Sequence, residues 1–294
     1  MTHSLAPLIE NWRDSGRFIE LAGLDVFAVD TAPGQGRRAA LLLHGFPSSS
    51  LDWRPILPAL TGRRVIALDL PGFGLSEKPA DYSYSLLEQA DVVMLLLRAL
   101  GVGEIDIVAH DMGTSVATEL CARHERGLLG VTPKSLLLMN GSVHIELARL
   151  TPSQKLLRSP LSGVFSRLAS HRLFIAQLRR ILGQPVADEE LDAMWALIRH
   201  HDGHLRLPQT IAYVDERRRF ARRWIGALRR LDLPTHVLWG REDPVAVAAI
   251  AERLAAEIPG ARLEWLSGLG HYPQLEDPTA TGAAIRQFLD SLPG

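Results

Sequence analysis

Apolar residues in the first half of this chain come as short unbroken runs, separated by longer stretches with a helical period. The runs are Ala39–Leu43 (AALLL), Val65–Leu70, Ile105–Ala109 and Ser135–Met139. Each has the length of a strand, and near-continuous apolarity is what burial on both faces produces. Between them Leu51–Leu60 and Ser85–Leu100 read as helices, the second with Leu86, Leu87, Ala90, Val93, Met94 and Leu97 on one stripe. Arg17–Gly23 and Leu24–Asp30 alternate across a turn, predicting an antiparallel hairpin at a sheet edge. Strands alternating with helices imply an α/β fold with a mostly parallel, doubly wound sheet.

The rhythm breaks from Gly141 to Arg230. Leu156, Leu157, Phe165 and Leu168, then Leu173, Phe174, Leu178 and Ile181, keep a helical period with no convincing strand among them. Alternation resumes with strand Thr235–Trp239, helix Ala246–Glu257, strand Arg262–Leu266 and helix Thr279–Leu292. The simplest organisation is a core made of 1–140 and 231–294 with an inserted helical cap, 141–230. Such a cap would lie over the carboxyl ends of the strands, where open parallel sheets bind ligands.

With 294 residues and 47% hydrophobic content, the chain can form one large α/β core plus an insertion. No apolar run approaches the ~20 residues of a membrane span. Met1–Glu20 carries Asn11, Arg13, Asp14 and Arg17 and does not read as a secretory signal. The single cysteine, Cys121, excludes an internal disulfide framework and fits a reducing cytoplasm; on the helix after Gly113 it reads as a small buried hydrophobe. A net charge of −1 gives no electrostatic case for nucleic acid.

That charge is unevenly spread. Residues 141–230 hold 16 Lys and Arg against 8 Asp and Glu, while the remainder holds 16 against 25. Arg217, Arg218, Arg219, Arg222 and Arg223 are the densest run. One reading is a solvated helix face paired with Asp215, Glu216 and the acidic core. The other is a basic cap that makes peripheral contact with anionic lipid or draws in acidic substrates. His200, His201, Asp202 and His204 could suggest a metal, but neighbouring histidines on a helix diverge and no second cluster matches them. No metal site is expected.

The candidate chemistry begins where the third of the early runs ends. Ala109-His110-Asp111-Met112-Gly113 is a small-x-Asp-x-small stretch between strand and helix, the pattern of a nucleophile elbow. Serine is the usual occupant, and here it is aspartate. Asp111 alone could be a helix N-cap. Two further groups argue against that bland reading, because Asp243 follows strand Thr235–Trp239 and His271 follows strand Arg262–Leu266. Nucleophile, acid and histidine thus stand in the order of an α/β-hydrolase, each just past a strand, where all three can converge at one edge of the sheet. Ser115, a helical turn beyond the elbow, is a poor rival nucleophile.

These motifs, with His44-Gly45-Phe46-Pro47, the run Asp69–Ser76 (DLPGFGLS) and Gly270-His271, resemble the epoxide hydrolase and haloalkane dehalogenase branch of the α/β-hydrolase superfamily over nearly the whole chain. Within that branch Asp192-Ala193-Met194-Trp195, His201-Asp202-Gly203, Arg222-Arg223-Trp224 and His271–Pro278 are similar to the mesoderm-specific transcript proteins.

A carboxylate nucleophile suits displacement at a saturated carbon, giving an alkyl ester on Asp111 that His271, oriented by Asp243, would hydrolyse. The backbone amides of Phe46 and Met112 match the oxyanion-hole positions. Neither metal nor cofactor is required, and the expected partner is a small apolar substrate. Dehalogenases of this branch hold halide with a Trp after the nucleophile and a polar side chain after His-Gly; Met112 and Phe46 at those places have no side-chain donor, which counts against halide. Epoxide opening needs a phenol from the cap, and Tyr213 is the tyrosine there, as acid or as packing. Trp195 could line the substrate pocket. His44, also beside the site, is counted with Tyr213 and Trp195 as a substrate-binding candidate, supporting its loop rather than performing chemistry. Carbon–halogen hydrolysis, or a ligand-binding protein on a hydrolase scaffold, are the alternatives to an epoxide hydrolase.

Overall fold

The computed structural model describes residues 6–293, so the first five residues of the stretch weighed as a leader lie outside the described residues. Eight strands form one sheet: β1 (Arg17–Leu21), β2 (Leu24–Asp30), β3 (Arg38–Leu43), β4 (Val65–Leu68), β5 (Glu104–His110), β6 (Thr132–Met139), β7 (Thr235–Gly240) and β8 (Arg262–Leu266). Their order is β1-β2-β4-β3-β5-β6-β7-β8. The β1–β2 hairpin is the antiparallel edge, β2 also runs antiparallel to β4, and every other pairing is parallel.

The unbroken apolar runs are explained by the register. Leu41 pairs with Ile107, and Ile107 with Leu136. Because side chains alternate across a strand, Leu41, Leu43, Ile107 and Leu136 enter one hydrophobic cluster, while Leu42, Val108 and Leu137 enter another on the opposite face. Both faces are covered, so polar positions are few, and those present are bonded, as Asp106 is to Arg38 and Ser135. Full burial of a Leu or Ile contributes roughly 1.5–3 kcal/mol, and the central strands carry several each.

Helices α2 (Leu86–Ala99), α3 (Met112–Glu125) and α11 (Ala248–Glu257) feed the first cluster; α1 (Pro7–Asp14) and α13 (Pro278–Asp290) feed the second. The expected helix Leu51–Leu60 is instead a 3-10 segment, Ser50–Leu60. Pro55 and Pro58 lie inside it, and a ring without an N–H cannot join an α ladder. The fourth strand stops at Leu68, short of the expected Leu70. Asp69 instead accepts hydrogen bonds from the amides of Ser50 (2.7 Å) and Leu75 (2.6 Å), which turns the chain.

From Met139 to Thr235 the described chain is helical: α4 (Pro152–Leu157), α5 (Ser162–Arg167), α6 (His171–Arg179), α7 (Asp188–Arg199), a 3-10 segment (His200–Arg206), α8 (Leu207–Thr210), α9 (Tyr213–Arg219) and α10 (Ala221–Arg229). A third cluster, with Leu178, Leu191, Met194 and Ile198, joins them to Tyr272 and Leu275 of the core. No helix among the described residues is long and apolar enough to cross a membrane.

Candidate active site

Asp111 sits between β5 and α3 with φ 44° and ψ −112°, backbone angles that a residue with a side chain seldom adopts. The surroundings enforce them. Its amide donates to the Met139 carbonyl (3.1 Å), and its carbonyl accepts from the Thr114 amide (3.1 Å) and hydroxyl (2.6 Å). The small residues of the motif have a steric cause: a Cβ on Gly113 would come within 2.4 Å of the Leu43 carbonyl oxygen, and one on Gly45 within 2.7 Å of the Asp111 Cβ. The carboxylate makes no capping bond to α3. Its Oδ2 instead accepts the Phe46 amide at 2.9 Å, with the residue 3% exposed.

Asp243 and His271 meet at the same edge of the sheet, past β7 and β8. Asp243 Oδ1 accepts the amides of Val245 (2.7 Å) and Ala246 (3.0 Å); Oδ2 accepts the Asn140 amide group (2.8 Å) and the His271 Nδ1–H (2.7 Å). Burial pushes the Asp243 carboxyl up, but His271 and these donors outweigh it and hold it below the usual range. For His271, burial opposes the imidazolium, yet the charges of Asp243 and Asp111 prevail and raise it to about 9. His110 shows the opposite balance. Buried and repelled by His271, it falls to about 4; as a neutral ring its Nε2–H donates to the His271 carbonyl at 2.7 Å.

The loop bearing His271 is clamped by one side chain. Glu276, on α12 (Pro273–Glu276), accepts four backbone amides: Gly183, Gln184 and Gly270 on Oε2, and Tyr272 on Oε1. Two belong to the helical insertion and two to the histidine loop. The His271 amide adds a 2.9 Å bond to the Ile181 carbonyl.

Residue by residue, the structure places the expected groups unequally. Met112 opens α3, its side chain buried in the core. Tyr213 is buried, its ring 5.6 Å from that of Phe46. Burial and the charge of Asp111 push its phenol well above the ordinary value, although Gln154 hydrogen-bonds the phenolate form. Trp195 lines an apolar cavity of about 110 Å³ and packs on Phe174, with ring centres 5.5 Å apart. Phe46, His271 and Tyr272 also line that cavity, as does Gln154.

His44 does not belong to the pocket. It is fully buried, its Nδ1 bonds the Gly45 carbonyl (2.8 Å), and its Nε2 accepts the Leu70 amide (3.0 Å), so both nitrogens are committed to the loop and neither reaches substrate. Its assignment as a substrate-binding residue is corrected to loop support. His200, His201, Asp202 and His204 fall in or beside the 3-10 segment His200–Arg206.

The arginine run also needs correction, because it is not simply a solvated face. Arg217 is 1% exposed; its Nε donates to Ser115 Oγ (2.7 Å) and its Nη2 to the Asp111 carbonyl (3.0 Å). The same Nη2 lies 3.8 Å from Asp111 Oδ1, and the guanidinium caps the Tyr213 ring at 4.5 Å. Arg223 binds Glu119 through two 2.7 Å bonds, with Trp224 Nε1 adding a third at 2.9 Å. Buried in α3, that carboxylate stays below its ordinary pKa because the bonds from Arg223, Arg123 and Trp224 outweigh desolvation. Arg218, Arg219 and Arg222 face solvent.

Sequence reading missed Arg217, Asn140, Tyr272 and Glu276. Asn140 carried a usable signal, since it directly follows the last residue of β6 at the same edge as Asp111, Asp243 and His271.

Two carboxylates and a histidine past the ends of β5, β7 and β8, beneath a helical insertion in a mostly parallel eight-stranded sheet, define a class. The chain belongs to the α/β-hydrolase family, whose profile matches residues 40–284. It is 44% identical to LipZ of Mycobacterium tuberculosis over 97% of this chain and 99% of that one. It is 39% identical to the mesoderm-specific transcript protein of Mus musculus, over 98% of this chain and 89% of the relative. Among solved structures, the haloalkane dehalogenase DatA from Agrobacterium tumefaciens superposes with a TM-score of 0.78 at 22% identity, covering 94% and 96% of the two chains. At that identity the likeness is one of fold.

Proposed function

We propose that this hydrolase works through Asp111 as a covalent nucleophile and opens epoxides carried by apolar substrates. The observation that carries the reading is the pairing of an elbow carboxylate with an amide already in place: Phe46 N–H on Asp111 Oδ2 at 2.9 Å. That bond leaves Oδ1 as the attacking atom and Oδ2 in the position where negative charge gathers later.

In the first step Oδ1 attacks an epoxide carbon, the C–O bond breaks, and a phenol gives its proton to the departing oxygen. Tyr213 and Tyr272 supply two phenols beside Phe46, the first by ring packing, the second by a 3.4 Å bond to the Phe46 carbonyl. Buried phenols whose pKa values are raised stay protonated at neutral pH, as an acid must. In the second step His271 takes a proton from water, and the hydroxide adds to the ester carbon of Asp111. The oxyanion rests on the amides of Phe46 and Met112. Collapse expels the diol oxygen, which His271 reprotonates; Asp111, left as the acid, releases its proton and the phenolate regains one, through solvent, which restores both groups. Met112 and Phe46 offer no side-chain donor to a halide, which favours epoxide over carbon–halogen substrates.

A single turnover in ¹⁸O-water tests the covalent route. The first diol should carry no label, with the heavy oxygen found in Asp111. Label appearing directly in the diol would mean that water, not Asp111, attacks the substrate.

A further inference from the structure

Seven large hydrophobic side chains are exposed among the described residues, and four of them fall close together: Leu161 (63%), Val164 (56%), Leu168 (73%) and Leu173 (43%). The first three are spaced i, i+3 and i+7 along and beside α5, which places them on one stripe. Scattered single leucines need no explanation, but a stripe of them does.

Charge singles out the same segment. From Leu147 to Ala187 there are seven Lys and Arg and not one Asp or Glu. Arg158 and Arg179 are paired with Asp215 and Asp188. Lys155, Arg167 and Arg172 are exposed and make no ion pair among the described residues. In the run from Arg217 to Arg223, by contrast, Arg217 and Arg223 are engaged with the core and Arg218 faces Asp215, leaving Arg219 and Arg222 exposed.

This face also borders the cavity. Phe165, Ala169, Ser170 and Leu173 line it, and Ser170 and Leu173 are exposed as well, so the cavity reaches solvent beside the apolar stripe. An apolar surface with unpaired cations matches the headgroup and acyl boundary of an anionic bilayer, where leucines enter the hydrocarbon and arginines remain at the phosphates.

We infer that the α4–α6 face docks on an anionic membrane surface and sets the mouth of the catalytic cavity against the lipid. Contact is peripheral, as no described helix can span a bilayer. That the substrate enters from the lipid rests on the function proposed above; the docking itself does not, and it can be tested without turnover.

The test is flotation of the full chain with vesicles of phosphatidylcholine alone and of phosphatidylcholine with phosphatidylglycerol. Wild type should float with the anionic vesicles, at least about tenfold more than with the neutral ones, and less as salt rises. Leu161→Glu/Leu168→Glu and, separately, Arg167→Ala/Arg172→Ala should each lower that partition about tenfold or more. Leu128→Glu, at an exposed leucine outside this face, should not. Circular dichroism checks the fold of each variant, and the arginine pair stands as an independent test should the leucine pair misfold. Absence of wild-type flotation at low salt would overturn the proposal, as would unchanged flotation of both double variants. So would a wild-type dimer that Leu161→Glu/Leu168→Glu splits, because the face would then belong to a second copy.

Discussion

Arg217 reaches from α9 to the Asp111 carbonyl at 3.0 Å, so a residue of the helical insertion is bonded to the backbone of the elbow. The peptide it grips has a strained φ of 44°. Arg217→Met would leave that carbonyl and the Ser115 hydroxyl without this partner. It should cost about 3 kcal/mol of stability and, by loosening the elbow, lower single-turnover alkylation about 10- to 100-fold. Arg217→Lys should recover part of the stability but little of the rate, since an ammonium cannot bridge both oxygens in the guanidinium geometry. Thermal melting and rapid-quench kinetics check both; full activity in Arg217→Met would show that the contact is packing alone.

Asn140 and His271 share Oδ2 of Asp243. Asn140→Ala should remove one donor from that carboxylate, raise its pKa and weaken its grip on the imidazole. Hydrolysis of the ester should slow about tenfold, while alkylation by Asp111 stays close to wild type. Separate rates for the two steps would reveal this split, and a uniform loss in both would point to general loosening.

The proposed cycle has a definite pH signature. In the free protein His271 is raised to about 9, with Asp111 among the charges responsible. Esterification neutralises Asp111, so the base pKa should drop below that value in the intermediate. Hydrolysis should therefore quicken as pH rises through a pKa lower than 9. Below it the alkyl-enzyme should accumulate as a burst, visible by quenched-flow mass spectrometry at pH 6 and gone near pH 9. Equal accumulation at both pH values would rule out His271 as the base.

Asp52 bears on stability instead. It is 4% exposed, and its Oδ2 has no hydrogen-bond partner among the described residues. Burial, with help from the charge of Glu190, lifts it from 3.8 to about 8, although Ser48 bonds its ionised form. The unfolded chain releases this proton near 3.8, so between there and about 8 the native state binds more protons. Its contribution to stability must then fall as pH rises through that window and level off above it. Asp52→Asn removes the slope and can keep a bond to Ser48. The variant should melt higher than wild type at pH 8, by on the order of 5 °C, with little difference at pH 4. A variant that gains nothing at pH 8 would mean that Asp52 ionises freely in the native protein.

These residues show which parts of the fold and site were legible in the sequence. The central strands could be read because burial on both faces leaves an unbroken apolar run, as at Leu41 to Leu43 and Leu136 to Met139. Asp111, Asp243 and His271 could be found because each lies just beyond such a run, and strand ends in a parallel sheet converge by topology. Arg217 could not, since the same local pattern serves a solvated helix and one in which Arg217 and Arg223 turn inward; only the packing of α9 and α10 against α3 decides. Glu276 was hidden because its four amide partners come from two distant segments. The 3-10 geometry of Ser50–Leu60 was visible in principle, as Pro55 and Pro58 both forbid an α ladder there.

The most direct measurement is the intact mass of His271→Gln protein after incubation with a panel of epoxides and haloalkanes. Without its base the second step should stall while Asp111 still attacks, so the ester should accumulate. A mass gain equal to one whole epoxide, mapped by peptide digestion to Asp111, is the predicted result. A gain equal to an alkyl group without its halogen would keep the nucleophile and reassign the leaving group. An adduct on any other residue, or none from any compound while wild type turns one over, would contradict a covalent role for Asp111.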